Sequence, residues 1–227
     1  MEESTTREKI FKRIRNALIE KAEPPFTSLD FDSPVFKSIS ETPDLIFAQE
    51  FTKIGGKFAY CENEDDMAEK LKFIINENKM EQVYCFEKTL KPVLEQNDIS
   101  FTDRPEPLHD HSIGITFCEF LIARTGSVVV SSRQLSGRRL NVFPEIHIVL
   151  ANTAQLVGDV KDALGALRLK YSGAFPSAIS VISGPSRTAD IEKTLVMGAH
   201  GPKELYVLLV EANEEVGSEQ SSVGSLH

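Results

Sequence analysis

Seven short apolar runs, "KFAYCE", "QVYCF", "GITFCEFLIA", "GSVVVSS", "IHIVLA", "AISVISG" and "ELYVLLVE", recur between residues 57 and 211 with polar, helix-like stretches between most of them. Several are apolar at consecutive positions instead of every second one. A strand of that kind needs cover on both faces, and strands alternating with helices supply it in a largely parallel sheet. The stretches between the runs agree. "LIFAQEFTKIGG" reads as a helix stopped at Gly55–Gly56. Met67, Leu71, Ile74 and Ile75 mark a helix over 64–78, and "EKTLKPVLEQN" a shorter one. Leu156, Val160, Leu164 and Leu167 share a helical face, and "ADIEKTLVM" reads as a last short helix before the final strand. The fold class expected is α/β, a largely parallel sheet with helices on both faces.

Outside residues 43–211 the pattern changes. Thr5 and Glu8 form a possible capping box, and Ile10, Phe11, Ile14 and Leu18 recur at helical spacing, so 6–22 reads as an amphipathic helix. A proline-rich arm over 23–42 follows, extended on its own domain or on a neighbouring subunit, which leaves a homo-oligomer open. Residues 212–227 are small, polar and aperiodic and read as a disordered tail. The expected organisation is therefore 1–42 appendage, 43–211 domain and 212–227 tail.

Composition narrows the function classes. The net charge of −9 disfavours nonspecific nucleic-acid binding. The first helix is a local exception, with Arg7, Lys9, Lys12, Arg13, Arg15 and Lys21, either a solvated face or a docking surface for an acidic partner. No apolar run approaches the length that spans a bilayer, and the first 21 residues lack the uncharged core of a secretory signal, so a cytoplasmic location is expected. Cys61, Cys85 and Cys118 are widely spaced and read as buried free thiols. His109, Asp110 and His111 fit no familiar zinc spacing, so no metal site is expected.

Three polar loops carry the chemistry. In "SGPSRTADIE", Gly184 relaxes the backbone, Ser186 or Thr188 caps the expected helix, and free N–H groups with Arg187 suit a phosphate or carboxylate, with Asp190 and Glu192 nearby. The alternative is a capped helix start with an Arg187–Asp190 surface pair. An open α/β sheet would place this loop at the carboxyl ends of its strands. In "GAHGP", His200 beside Gly201 is a candidate general acid or base, as is Asp190. In "ARTGSVVVSSRQLSGRR", Thr125 and Gly126 precede a strand, and Ser131, Ser132, Arg133, Ser136, Gly137, Arg138 and Arg139 follow it, as a second anion cradle or an ordinary basic surface loop.

Taken in order, "RTGSVVVSS", "FPEIHIVLANTAQLV", "PSAISVISGPSRTADIEKTLVMGAHGP" and "ELYVLLVE" resemble the LUD-domain family, over roughly residues 43–211. The first helix also looks like that family's short leader, while the 23–42 arm departs from it. The resemblance implies a fold like that of ribose-phosphate isomerase, glucosamine-phosphate deaminase and CoA-transferases. It also implies work beside two iron–sulfur partner proteins in oxidising L-lactate to pyruvate, with the clusters in the partners and none in this chain. It assigns no catalytic residues, so Arg187, Asp190 and His200 stand on the residues alone. Two other readings stay open. One is a stand-alone enzyme acting on a phosphorylated sugar, a folate or a CoA ester, in which Arg187 and the 131–139 loop converge on one anion pocket. The other is a regulator that binds a small anionic metabolite without turnover.

Overall fold

The computed structural model describes residues 5–19, 41–80, 82–104, 111–137, 139–191, 194–198 and 200–212, with backbone alone for 188–191 and 194–197. The 23–40 part of the arm, the tail from 213, His109, Asp110, Arg138 and Glu192 lie outside the described residues. The chain divides into two units, Met1–Ser38 and Ile39–His227. Of the first, the described part is α1 (Thr6–Ile19). Its capping box is present: Thr5 N donates to Glu8 Oε2 at 2.8 Å and Glu8 N to Thr5 Oγ1 at 3.4 Å.

The second unit starts with α2 (Pro43–Lys53), whose proline occupies a first-turn position where no N–H is needed. β1 (Lys57–Cys61), α3 (Glu64–Asn78), β2 (Gln82–Cys85), α4 (Lys91–Gln96) and β3 (Ser112–Phe117) follow. α3 begins where Asn63 accepts the Asp66 N–H at 2.9 Å, and it buries Met67, Leu71 and Ile74 as the spacing predicted. Later come β4 (Phe120–Ile122), β5 (Ser127–Ser131), β6 (Ile146–Asn152), β7 (Leu156–Val157), α5 (Val160–Lys170), β8 (Ile179–Ile182), β9 (Arg187–Ile191), β10 (Thr194–Met197) and β11 (Glu204–Val210). Five strands form a wholly parallel sheet in the order β1-β11-β6-β3-β2. At its centre β6 and β11 pair along their full lengths, from Ile146↔Glu204 to Asn152↔Val210.

One face of this sheet packs Ile113, Ile115, Ile146, Ile148, Leu150 and Leu208 against α3 and α4. The other packs Val149, Leu205, Val207 and Leu209 against Phe47 and Phe51 of α2 and against Leu121, Val128 and Val130. Burial on both faces explains why β6 and β11 are apolar almost without alternation. The α/β class is as expected, with one addition. β4, β5 and β8 leave the parallel sheet and, with β7, form a second sheet of order β7-β4-β5-β8, in which β5 runs antiparallel to both neighbours. α5 covers the outer side of that sheet through Ala163 and Leu167. Val160 and Leu164, expected on the buried face of α5, are exposed, and Leu156 belongs to β7.

The helix expected at 189–197 is not formed. β9 and β10 make an antiparallel hairpin there, with Met197 opposite Arg187 and Thr194 opposite Ile191. Thr188, Ile191, Thr194 and Val196 are β-branched, and glycines in the left-handed region, Gly184 at φ 82° and Gly198 at φ 75°, bound the hairpin. Strand preference outweighed a weak helical spacing. A helix-capping role for Ser186 or Thr188, and the helical Arg187–Asp190 pair, go with the helix.

Gly126 carries the tightest contact between α2 and the second sheet. Its φ is 57°, and a Cβ there would sit 2.2 Å from the Phe51 N atom. Gly137 has nearly the same φ, 58°, with nothing within 4 Å of its would-be Cβ. Gly137→Ala should therefore cost only the backbone strain, about 1–2 kcal/mol. Gly126→Ala should exceed that by at least about 2 kcal/mol because backbone must move. Urea unfolding of the two variants side by side checks the difference, and equal losses would contradict the packing described.

Candidate functional site at the amino end of the parallel sheet

β8 pairs antiparallel with β5 and then feeds the hairpin, which returns the chain to the start of β11. The Gly184–Arg187 turn therefore lies beside the amino ends of β1 and β11. The carboxyl-end placement expected for this loop is thus overturned by the departure of β8 from the parallel sheet.

Contacts at this edge are tight. A Cβ on Gly184 would lie 2.6 Å from the Ile54 carbonyl oxygen. Arg187 Nη2 donates to that same oxygen at 2.7 Å, closing over Gly55 at the carboxyl end of α2. A guanidinium there satisfies an unpaired carbonyl and complements the negative end of the helix. The rest of the Arg187 side chain is exposed. Ser186 N donates to Pro202 O at 2.8 Å and Ser186 O accepts from Gly198 N at 3.1 Å, which locks the 184–187 turn to the 198–202 loop. Gly201 lies against Ser186, where a Cβ would approach the Ser186 Cβ to 3.1 Å. On the opposite side a hydroxyl chain runs from Thr125 Oγ1 to Ser127 Oγ at 2.8 Å and on to Ser183 Oγ at 2.8 Å.

A cleft of about 520 Å³ opens beside this turn, lined by Val142, Phe143, Pro144, Glu145, Gly198, His200, Gly201 and Lys203. His200 is exposed on its wall. Glu145 forms the charged floor: Oε1 accepts from Lys203 Nζ at 2.7 Å, and Oε2 lies 2.9 Å from His111 Nδ1. Lys203 first, then His111, holds the Glu145 carboxyl below the usual carboxylate range. One wall is apolar, the other carries a cation and an accessible imidazole, and that combination suits a small anion with an exchangeable proton.

Of the candidate residues, His200 and Gly201 line the cleft, Gly184, Ser186 and Arg187 form the turn beside it, Thr125 reaches that turn through Ser127 and Ser183, and Gly126 packs on α2. The structure does not bring Arg133 to them. Arg133 donates from Nε at 3.1 Å and Nη2 at 2.7 Å to the Ala174 carbonyl, past the Ser131 end of β5. Thr125 flanks the opposite end, about 13 Å away along the strand. Arg187 and Arg133 therefore do not converge on one pocket. Thr188 and Asp190 lie on β9 with only their backbone described.

Sequence reasoning passed over Glu145 and Lys203, although each stands immediately before a central strand, in "FPEIHIV" and "HGPKELYV". It also passed over a paired carboxylate at the carboxyl end of β3. Buried Glu119 accepts from Ser131 Oγ at 2.5 Å, Tyr171 OH at 2.8 Å and Lys170 Nζ at 2.9 Å. Burial first, then that carboxylate, pushes the Tyr171 phenol up to about 12. The cysteines are buried free thiols as expected, and burial pushes Cys61 and Cys85 up to about 11. Among the described residues no helix is long and apolar enough to cross a membrane.

A doubly covered parallel sheet with a companion mixed sheet and an amino-edge cleft defines an α/β protein. The sequence pattern of the LUD domain matches residues 46–210, and the chain belongs to that family. It is 37% identical over 108 residues to Lactate utilization protein C of Halalkalibacterium halodurans, covering 47% of each chain. To Lactate utilization protein C of Bacillus subtilis it is 37% identical over 101 residues, 43% of this chain and 42% of that one. An uncharacterized protein of Neisseria meningitidis serogroup B is 32% identical over 124 residues, 55% of this chain and 52% of that one. The matches span about half the length of these curated relatives. Among solved structures, a DUF162-family protein from Deinococcus radiodurans superposes with TM-score 0.55 at 20% identity, over 74% of this chain and 96% of that one, which shows the shared fold.

Because Glu145 is held below its ordinary 4.5, its pairing adds stability above about pH 4.5, and this is lost as pH falls through the folded value. Lys203→Met should move the Glu145 titration up towards 4.5, read by carboxyl NMR, and should bring acid unfolding on at higher pH. An unchanged titration would show that Lys203 does not hold this carboxylate.

Proposed function

We propose that this chain serves lactate utilization, as a cluster-free cytoplasmic subunit working with two iron–sulfur partner proteins to oxidise L-lactate to pyruvate. The observation that carries the reading is the 37% identity to Lactate utilization protein C over 108 residues. The cleft is consistent with it. Lys203 in the cleft lining offers charge to a carboxylate, the exposed part of Arg187 lies on the turn beside the cleft, and His200 in the lining can take a hydroxyl proton. The oxidation releases two electrons and two protons, and taking up the electrons falls to the partners. The cysteines of this chain do not fit a cluster: they sit buried on β1, on β2 and after β3, with thiols raised by burial.

One observation favours a second reading. A cleft of about 520 Å³ exceeds what a three-carbon acid fills, which suits a stand-alone enzyme acting on a phosphorylated sugar, a folate or a CoA ester.

The test is an anaerobic pull-down of the tagged full chain from its native cells, grown with and without L-lactate. Recovery of two iron-containing partners with L-lactate-dependent dye reduction is expected, and His200→Ala should lower that activity by about 10²-fold with the complex intact. A chain recovered alone would overturn the subunit reading. Stabilisation of the purified protein by a phosphosugar, folate or CoA ester, lost in Arg187→Ala, would then establish the second one.

A further inference from the structure

Three chain segments enter the amino edge of the parallel sheet side by side, and each brings one ionisable side chain. His111 stands just before β3, Glu145 just before β6 and Lys203 just before β11. These strands are neighbours in the order β11-β6-β3, with Ile146 opposite both Glu204 and Ile113. Backbone bonds fix the row: Lys203 N donates to Glu145 O at 2.8 Å, and Glu204 N to the same oxygen at 3.3 Å. Glu145 is the middle member. Its Oε1 accepts from Lys203 Nζ and its Oε2 meets His111 Nδ1, so one carboxylate is shared between two neighbours.

The sharing sets the tautomer of the imidazole. An ionised carboxylate only accepts, so the hydrogen in this contact belongs to His111 Nδ1, and Nε2 is left as the nitrogen that can gain a proton. With His111 neutral, Lys203 and Glu145 cancel and the row has no net charge. With His111 protonated, the row gains one positive charge. The His111 and Lys203 side chains are both half-exposed, so solvent protons and ions reach them, whereas Glu145 is mostly covered. Glu204, beside Lys203, is engaged by Lys57 and the Tyr206 hydroxyl. His200 adds a second imidazole on the cleft wall. His109 and Asp110, the chain neighbours of His111, and Arg138, in the loop before Glu145, lie outside the described residues. Of these three side-chain types only the imidazole ordinarily titrates between pH 6 and 8.

We infer that Glu145 is an exchangeable counter-ion of Lys203, and that the cleft binds a small monoanion together with one proton, which His111 takes. An entering anion needs the Lys203 ammonium, and Glu145 Oε1 already occupies it. Glu145 can give up that contact while keeping the one from Oε2 to His111. Beside a second anion and a neutral imidazole, its charge would be poorly compensated. A proton on Nε2 turns the imidazole into a cation, pairs it with Glu145 and offsets the added charge. One anion enters, one proton leaves solvent for Nε2, and the row with its ligand is again without net charge. This device rests on the cleft being an anion site, as in the function proposed above, but not on which anion it takes.

The test titrates the full chain with methanesulfonate and with L-lactate at pH 6 and pH 8, a range over which each probe keeps one negative charge. Calorimetry in two buffers of different ionisation heat measures proton uptake, and NMR shifts of the Gly198 and Gly201 amides place the probe in the cleft. Methanesulfonate should shift those amides and bind at least about fivefold more tightly at pH 6, with proton uptake. His111→Gln keeps a donor for Glu145 but cannot become charged, and should remove most of the pH dependence and of the uptake. Glu145→Gln leaves Lys203 without its counter-ion and should bind methanesulfonate more tightly than the unaltered chain at pH 8. His200→Gln and His109→Gln should retain the dependence. Unmoved Gly198 and Gly201 signals, equal affinity at the two pH values, an unaltered dependence in His111→Gln, no gain in Glu145→Gln, or a dependence lost in His200→Gln or His109→Gln would each overturn the assignment. L-Lactate failing to bind where methanesulfonate binds with proton uptake would count against the lactate reading and leave the proton-coupled site standing.

Discussion

Phe47 and Phe51 of α2, stacked with ring centroids 5.3 Å apart and both fully buried, form the wedge on which the two sheets meet. Truncating either ring would cost about 3–5 kcal/mol on burial grounds alone. More depends on them than core volume. Gly56 has no room for a side chain because the Phe51 ring fills that space, and Gly126 has none because the Phe51 backbone does. The wedge therefore fixes where α2 ends, and the end of α2 fixes the cleft. Ile54 O receives Arg187, Gly184 packs on the same oxygen, Ser186 bonds to Pro202 and Gly198, and Lys203 follows onto Glu145. Distant sequence segments reach one edge through a single aromatic contact.

That chain of contacts explains what was legible in the sequence. The strands of the parallel sheet and helices α2 to α4 each announce themselves locally, by an apolar run or a helical spacing. β6 and β11 are buried along their lengths, so their side chains had little choice. The hairpin at 187–197 was misread because "ADIEKTLVM" carries a short helical spacing as well as β-branched residues. What decides between them is the pair of left-handed glycines at 184 and 198 and the hydrogen bonds from Ser186 N to Pro202 O and from Gly198 N to Ser186 O, which no local window contains. The location of the loops failed for a related reason. Nothing in "AISVISG" says that its partner is β5, outside the parallel sheet, so the end of the sheet it serves is set by topology alone.

Glycine was read most unevenly. In the sequence, Gly126 and Gly184 looked like residues that free a loop for an anion. In the fold both are contact surfaces, each needed because backbone of α2, or of the turn that ends it, occupies the space a Cβ would take. Arg187 shows the same double use, since one guanidinium nitrogen completes the helix end while the rest faces solvent. Residues that carry a site here also carry the joint behind it.

The chain as a whole carries −9, and in the cleft the Lys203 ammonium and the His111 ring meet one carboxylate, Glu145, with His200 also in the lining. Anions meet a repulsive long-range field and, in the cleft, a Lys203 ammonium already paired with Glu145. Salt screens the first over about 10 Å at moderate ionic strength, while close contacts inside a cleft are screened far less. Glu145 sets the balance: it accepts from Lys203 at 2.7 Å and lies 2.9 Å from His111 Nδ1, and it cancels part of the Lys203 charge. An anion that enters has to compete with a carboxylate already in place. Selectivity for any anion there then rests on shape and hydrogen-bond geometry more than on net attraction.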